Sequence, residues 1–489
     1  MSLGQSEKCR VHPVGQRRAD ETALHTSEIG RRAFLAKSLL AAGAASLSSA
    51  GLYAQRPDSA TSLRIAPFRF EVSPPLGHPL CGGWIKPVVG YDDALECIGY
   101  VLLGAGSPIV VCAVDWTGIL NEAHVRWRSA LADAAGTTPD RVAVQAVHQH
   151  NAPFACPATE RLLQAHSGQL HNLDLNFLQT CLDRGRDAVR QALPQAQPIT
   201  HVAFSQAPVL QVASNRRVLR DKNGKIVKMR GSYSKDPELI ALPEGLIDPD
   251  LRTLSFFNRD RRLVSCHYYA THPMSYYGDG RVTADFVGLA RKRRQADDPG
   301  CTQIYFTGCA GNVSAGKYND GSPAIRPLLA ERMYTALVAS EGIQRPEPIT
   351  SVEWRTQFAL LSPRPQFNRD ELQATLANAS ASTADRIRSA MKLIWMERCA
   401  EQVPLVISAL RINRMASLHL PAEMFVEYQL RIQKLAPSLQ IATAAYGDGG
   451  PWYIPTAQEF PAGGYEVDFA FCGPEVDTIL SATFRPLLS

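Results

Sequence analysis

The stretch AVHQHNAP, Ala146–Pro153, sets two histidines two residues apart at the end of an apolar run, then breaks the chain with Asn151 and Pro153. With RVAVQAVHQH (141–150) read as a strand, alternate side chains share a face. His148 and His150 then point the same way at its C-terminal end, where α/β sheets collect ligands. Two imidazoles on one face can both ligate a metal, or one can ligate while the other moves a proton. A polar strand end is the plain alternative, and an isolated H-x-H does not decide between them. Three further strand-to-loop junctions carry potential ligands: His272 before Pro273 in CHYYATHPMSYYG, Glu423 after Pro421-Ala422 in SLHLPAEMF, and Tyr453 in the Gly/Pro-framed GDGGPWYIPTAQEF. Histidine and carboxylate with one open position form the usual catalytic zinc set. A tyrosine, with a free pKa of about 10, needs metal coordination to ionise near neutral pH.

Elements able to position these residues recur along the chain. Short apolar, β-branched and aromatic runs (LRIAPFRFEV, PIVVCAVDW, LRTLSFFN, LVSCHYYATHP, TQIYFTGCAG, PLVISALRI, MASLHLPAE) alternate with helical patterns. Examples of the helical patterns are NEAHVRWRSALADAA, LNFLQTCLDRGRDAVRQAL, AIRPLLAERMYTALVAS, DRIRSAMKLIWMERCAEQ and EMFVEYQLRIQKLA. This alternation predicts an α/β fold of mixed sheets flanked by helices. The polar segment Leu219–Pro249, with DKNG as a turn, predicts a surface hairpin or lid. There is no internal repeat, and no all-β tail is expected after the catalytic part.

Taken together and in order, the motifs resemble the neutral/alkaline ceramidase family, zinc amidases that cleave the N-acyl bond of ceramide. HQHNAP is similar to the family's HTHSGP-like segment, VASNRRVL carries its NR pair as Asn215-Arg216, and THPMSY, PAEMF, WYIPT and GGYEV match its later motifs. The resemblance spans roughly residues 65–480. It implies Zn²⁺ held by His148, His272, Glu423 and Tyr453. It also implies His150 as the proton carrier beside the metal, with Arg216 and Tyr465 as donors to the developing oxyanion. Two motifs depart from the family. Asn151-Ala152 replaces Ser-Gly after the second histidine, and GCAGNVSAG carries Asn312 where an aspartate is common.

Each of these residues has a structural alternative. His150 can donate to a backbone carbonyl and orient His148. Arg216 can pair with a surface carboxylate, and Tyr453 and Tyr465 can pack in a core. Asp285 in TADFVG reads as a helix cap rather than a ligand, and His267 as structural. Ser275 and Ser314 lack a G-x-S-x-G context, which disfavours a serine hydrolase.

Composition bounds the rest. The 489 residues are 45% hydrophobic and 20% charged, an ordinary globular balance. Seven Lys/Arg against four Asp/Glu fall in the first 55 residues, leaving 44 basic against 42 acidic beyond them. No basic stripe interleaved with aromatics appears, which argues against a nucleic-acid partner. Arg31-Arg32 followed by an Ala/Leu/Ser-rich run to about Ala54 resembles a twin-arginine export signal, too short to anchor in a bilayer. The expected organisation is therefore a leader over 1–55 and an exported catalytic domain over 56–489. Ten of the eleven cysteines lie beyond the leader without C-x-x-C spacing, and those in apolar runs, such as Cys112, read as buried thiols. The expected partner is an N-acyl lipid or another amide, with peripheral membrane contact compatible with the former. The competing classes are a metallo-amidase or esterase on a non-ceramide substrate, and a non-catalytic exported binding protein.

Overall fold

Three sheets carry the fold in the computed structural model, which describes residues 62–489; the expected leader, residues 1–55, lies outside them. The first sheet runs Val142–Ala146, Ile109–Val114, Glu96–Leu103, Arg64–Glu71 and Gln197–Pro198. The second runs Thr302–Thr307, Arg261–Tyr269, Asp250–Asn258, His201–Pro208 and Glu347–Pro348. The third runs Val352–Ala359, Leu405–Ile412, Met415–His419 and Gln440–Ala444.

Each sheet has an antiparallel body and one parallel pair at an edge. The parallel pairs are Ile109–Val114 with Val142–Ala146, Arg261–Tyr269 with Thr302–Thr307, and Met415–His419 with Gln440–Ala444. A parallel pair needs a crossover. The helices Glu122–Ala135, Asp285–Asp297 and Val426–Leu435 supply the three crossovers. Ile109–Val114 and Val142–Ala146 are buried at every position, which is why both read as unbroken apolar runs.

The C-terminal ends of these edges are stitched together by hydrogen bonds. Ala146 N–H donates to Tyr446 O, Ala445 N–H donates to Thr307 O, and the Thr307 hydroxyl donates to Val147 O. Buried Gln145 adds three bonds from its amide nitrogen, to the carbonyls of Leu420, Ala444 and Ala445. The strand ends of all three sheets therefore meet at one point.

Several expected boundaries shift. The 141–150 run is not one strand: it ends at Ala146, and His148 takes a left-handed conformation with φ +76°. Glu423 does not open a helix. Glu423–Met424 pairs in parallel with Tyr453–Ile454, and the helix begins at Val426. There the Asn312 side-chain oxygen accepts from Val426 N–H while its amide donates to Glu427, so Asn312 caps that helix. Segment 219–249 contains a hairpin, Leu219–Arg220 against Ile226–Lys228. Behind it, fully buried Arg230 donates to the carbonyls of Leu239, Leu242 and Pro243. Strands 96–103, 201–208, 352–359 and 440–444 and helices 157–166 and 475–488 were not expected, while helix 285–297 begins at Asp285, read from the sequence as a cap. The ten cysteines among the described residues are free thiols, nine of them buried. No described helix is long and apolar enough to cross a membrane.

Candidate metal centre

His148 follows the edge strand of the first sheet, His272 the strand next to the edge of the second, and Glu423 a strand of the third. One donor atom from each lies within 4.8 Å of the others, and all three residues are buried. Glu423 Oε2 is 3.2 Å from His148 Nε2 and 3.1 Å from His272 Nε2. The other ring nitrogens face carbonyls: His148 Nδ1 is 2.6 Å from Thr117 O, and His272 Nδ1 is 2.7 Å from Ala310 O and 3.1 Å from Val313 O. A carbonyl only accepts, so both protons sit on Nδ1 and both Nε2 lone pairs face the carboxylate.

Three acceptors converging in a buried space repel one another unless a cation lies between them. His148 Nε2 has no hydrogen-bond partner. A tetrahedral ion with bonds of about 2.0–2.2 Å spaces its ligands by about 3.4 Å. The observed separations are close to that, so the group fits a metal ion. Burial raises the Glu423 carboxyl; whenever the facing imidazoles carry positive charge, their attraction and hydrogen bonds outweigh burial and hold the group well below the usual carboxylate range. Burial lowers His272 to about 4, against the opposing pull of Glu423.

Backbone conformation is strained around this group. His148, Ala422, Tyr446 and Trp452 all have φ between +50° and +76°, a region costly for non-glycine residues. Gly311 is required for close approach, because a Cβ there would lie 2.3 Å from Glu423 O.

The remaining expected residues lie around the same cavity of about 360 Å³, which His148, His150, Arg216, His272, Glu423, Tyr453 and Tyr465 all line. His150 has its ring 5.0 Å from that of His148 and 6.1 Å from that of His272, and its Nδ1 has no partner. It does not orient His148; the Thr117 carbonyl does. Burial, then the two neighbouring histidines, hold His150 well below its ordinary value. Arg216 is buried, donating to the Tyr453 hydroxyl at 3.3 Å and lying 3.6 Å from Glu466 Oε1. Its guanidinium is 5.4 Å from the Tyr465 ring. Tyr453 is aligned by its pairing with Glu423, its ring 6.3 Å from that of His272. Burial raises its hydroxyl well above the ordinary value, as does Glu423, with Arg216 opposing. Tyr465 is 46% exposed at the cavity mouth, so it is no core aromatic.

The secondary candidates have structural roles. Asp285 accepts from Ser275 N–H and Phe286 N–H at the start of its helix. His267 is sandwiched between Thr253 and Gln303. Ser275 accepts from Arg326, and Ser314 donates to Gly231 O. Three contributors escaped the motif reading. Tyr446 stacks on His148 at 4.3 Å, Glu466 pairs with both Arg216 and Arg217, and Trp452 lines the cavity. Of these, only Tyr446 and Trp452 left a signal, as the aromatics of the glycine-rich AAYGDGGPWY.

Fold and site together define a mixed α/β protein with a buried His–His–carboxylate group able to hold a metal ion. No family model and no curated protein matches the chain. Among solved structures it is similar to a ceramidase complexed with C2, at TM-score 0.65 and 16% identity over 88% of this chain and 75% of that one. It is also similar to the neutral ceramidase from Pseudomonas aeruginosa, at TM-score 0.64 and 17% identity over 88% and 74%. The described chain has the fold of these ceramidases.

Proposed function

We propose that the protein is a zinc-dependent amidohydrolase that cleaves the N-acyl amide bond of ceramide or a related N-acyl lipid. The supporting observation is the convergence of two Nδ1-protonated imidazoles and a carboxylate on one buried point, at the floor of a solvent-reaching cavity. His148, His272 and Glu423 would hold the ion, with Tyr453 as the fourth ligand. Zinc in such a site supplies Lewis acidity and brings water to nucleophilic strength near neutral pH. His150, with an unpaired Nδ1 and a depressed pKa, accepts the proton released from the attacking water and returns it to the leaving amine nitrogen. Arg216, kept charged by Glu466 and Tyr453, and the Tyr465 hydroxyl donate to the carbonyl oxygen as it gains charge.

Residues 1–55 act as a twin-arginine-type leader and residues 56–489 as the exported catalytic domain, with peripheral contact to a lipid surface during turnover. The test is purified protein assayed for bound zinc and for hydrolysis of fluorescent ceramide, before and after chelation. Stoichiometric zinc with chelator-sensitive amide cleavage is expected. Absence of bound zinc, together with no cleavage after zinc is added, defeats the proposal.

A further inference from the structure

Two arginines adjacent in the chain share one buried carboxylate. Arg216 lines the cavity, whereas Arg217 and Glu466 are buried and do not. Glu466 Oε2 accepts from Arg217 Nη1 at 2.9 Å, and Glu466 Oε1 lies 3.6 Å from Arg216 Nε. Three further bonds hold Arg217. Its Nε donates to Glu459 Oε2 at 2.7 Å, its Nη2 donates to Gly463 O at 2.7 Å, and its backbone N–H donates to Asn215 Oδ1 at 2.9 Å. Tyr465 therefore stands between two residues, Gly463 and Glu466, that Arg217 grips. Glycine is required at 464, where φ is +93° and a Cβ would lie 3.0 Å from Arg217 Nη1. One clamp thus fixes both the backbone that carries Tyr465 and the carboxylate that faces Arg216.

Arg216 itself has donors to spare. Among the described residues only its Nη1 finds acceptors, the Tyr453 hydroxyl at 3.3 Å and Gly311 O at 3.4 Å. Arg216 Nε has no hydrogen-bond partner, and neither has Glu466 Oε1. At 3.6 Å the carboxylate directs the guanidinium by charge without occupying its N–H groups. Buried donors left in this way are costly unless a ligand meets them. Glu466 also neutralises Arg217, so its charge is divided and Arg216 keeps part of its own. The guanidinium is 5.4 Å from the Tyr465 ring, so both donors address one region of the cavity.

We propose that Glu466, held by Arg217, is a positioning residue that aims Arg216 and seats Tyr465 toward an oxygen gaining negative charge, without touching the substrate. This deepens the proposed amide hydrolysis and rests on it for the part that Arg216 and Tyr465 play. The test compares wild type, Glu466→Gln, Glu466→Asp, Arg216→Lys and the double variant Glu466→Gln with Arg216→Lys, each as purified. It measures kcat and KM on a fluorescent N-acyl amide and calorimetric binding of dodecanoate, an anion for the same two donors. Glu466→Gln should lower kcat by about 10²-fold, the loss of one oxyanion donor, with KM changed by less than about threefold. The double variant should be little worse than the poorer single variant, because the two residues act as a unit. Dodecanoate should bind Glu466→Gln more weakly. Removing a negative charge beside Arg216 would by itself tighten anion binding, so weaker binding marks lost aim. Glu466→Asp keeps the charge and shortens the reach, so it preserves the comparison should Glu466→Gln fold poorly, and its kcat should fall by about tenfold. Additive losses in the double variant overturn the proposal. So does dodecanoate binding that is absent in wild type, or that the Glu466 variants leave equal or tighten. A wild type that cleaves no amide defeats the hydrolase assignment instead, and dodecanoate binding then decides the positioning role alone.

Discussion

Replacing Glu423 by glutamine keeps the shape of the side chain and removes its charge. In the metal-free protein the carboxylate faces two imidazole lone pairs at 3.1 and 3.2 Å. A glutamine amide can instead donate to one of them, so the metal-free Glu423→Gln protein should be at least as stable as metal-free wild type. With metal the order reverses. An ion at a thousandfold above its Kd stabilises the native state by about 4 kcal/mol. Unfolding entropy of about 2.1 cal/mol/K per residue, over about 430 residues, amounts to about 0.9 kcal/mol/K. Wild type should therefore gain about 4–5 °C in Tm. If losing the anionic ligand weakens binding about a hundredfold, the same ion concentration yields about 1.4 kcal/mol, or about 1.5 °C. The assay is circular-dichroism melting of chelator-treated protein with and without zinc, alongside zinc content of the dialysed samples. An equal zinc-induced rise in both proteins would refute Glu423 as a ligand.

Three further outcomes are expected. His150→Ala should keep full zinc content while kcat on an amide substrate falls by about 10²–10⁴; loss of zinc in that variant would make His150 a ligand instead. Asp448 is buried, accepting from Arg398 Nη1 at 2.7 Å and Asn121 N–H at 2.8 Å. Asp448→Asn leaves the Arg398 charge uncompensated and should cost about 3–5 kcal/mol in urea unfolding, while weakening zinc affinity through the adjoining loop that ends at Tyr453. Burial lowers His419 to about 3, partly opposed by Ser408, against about 6.5 when unfolded. The unfolded chain thus binds a proton that the fold refuses, so stability falls as pH drops below 6.5, by about 2 kcal/mol at pH 5. His419→Gln should flatten the stability profile between pH 7 and 5 by that amount, and an unchanged slope would remove His419 from the acid response.

The side chains that converge on the candidate site were legible because most sit near a strand end marked by Pro or Gly, where apolar periodicity stops. Mixed α/β architecture was legible for the same reason: fully buried parallel strands such as Ile109–Val114 read as apolar runs. What orients the site was not. The carbonyls of Thr117, Ala310 and Val313 that set the imidazole tautomers belong to the backbone and leave no residue-type signature. Two-residue alternation failed at His148, whose left-handed φ turns the ring by a route that no strand pattern encodes. Glu423 looked like the start of a helix because its neighbours have helical periodicity. Its pairing with Tyr453, thirty positions away, overrides that local preference. Glu466 escaped notice because a single polar residue acquires meaning only from distant partners.

The meeting of three sheets at the metal group has a consequence for how the protein comes apart. His148, His272 and Glu423 each follow a strand of a different sheet, so no one of the three sheets holds two of them. Separation of any sheet from the other two would take at least one of these three ligands away from the rest and open the site. Loss of a bound ion would therefore report the first parting of the sheets, and its rate under mild denaturant would clock that event.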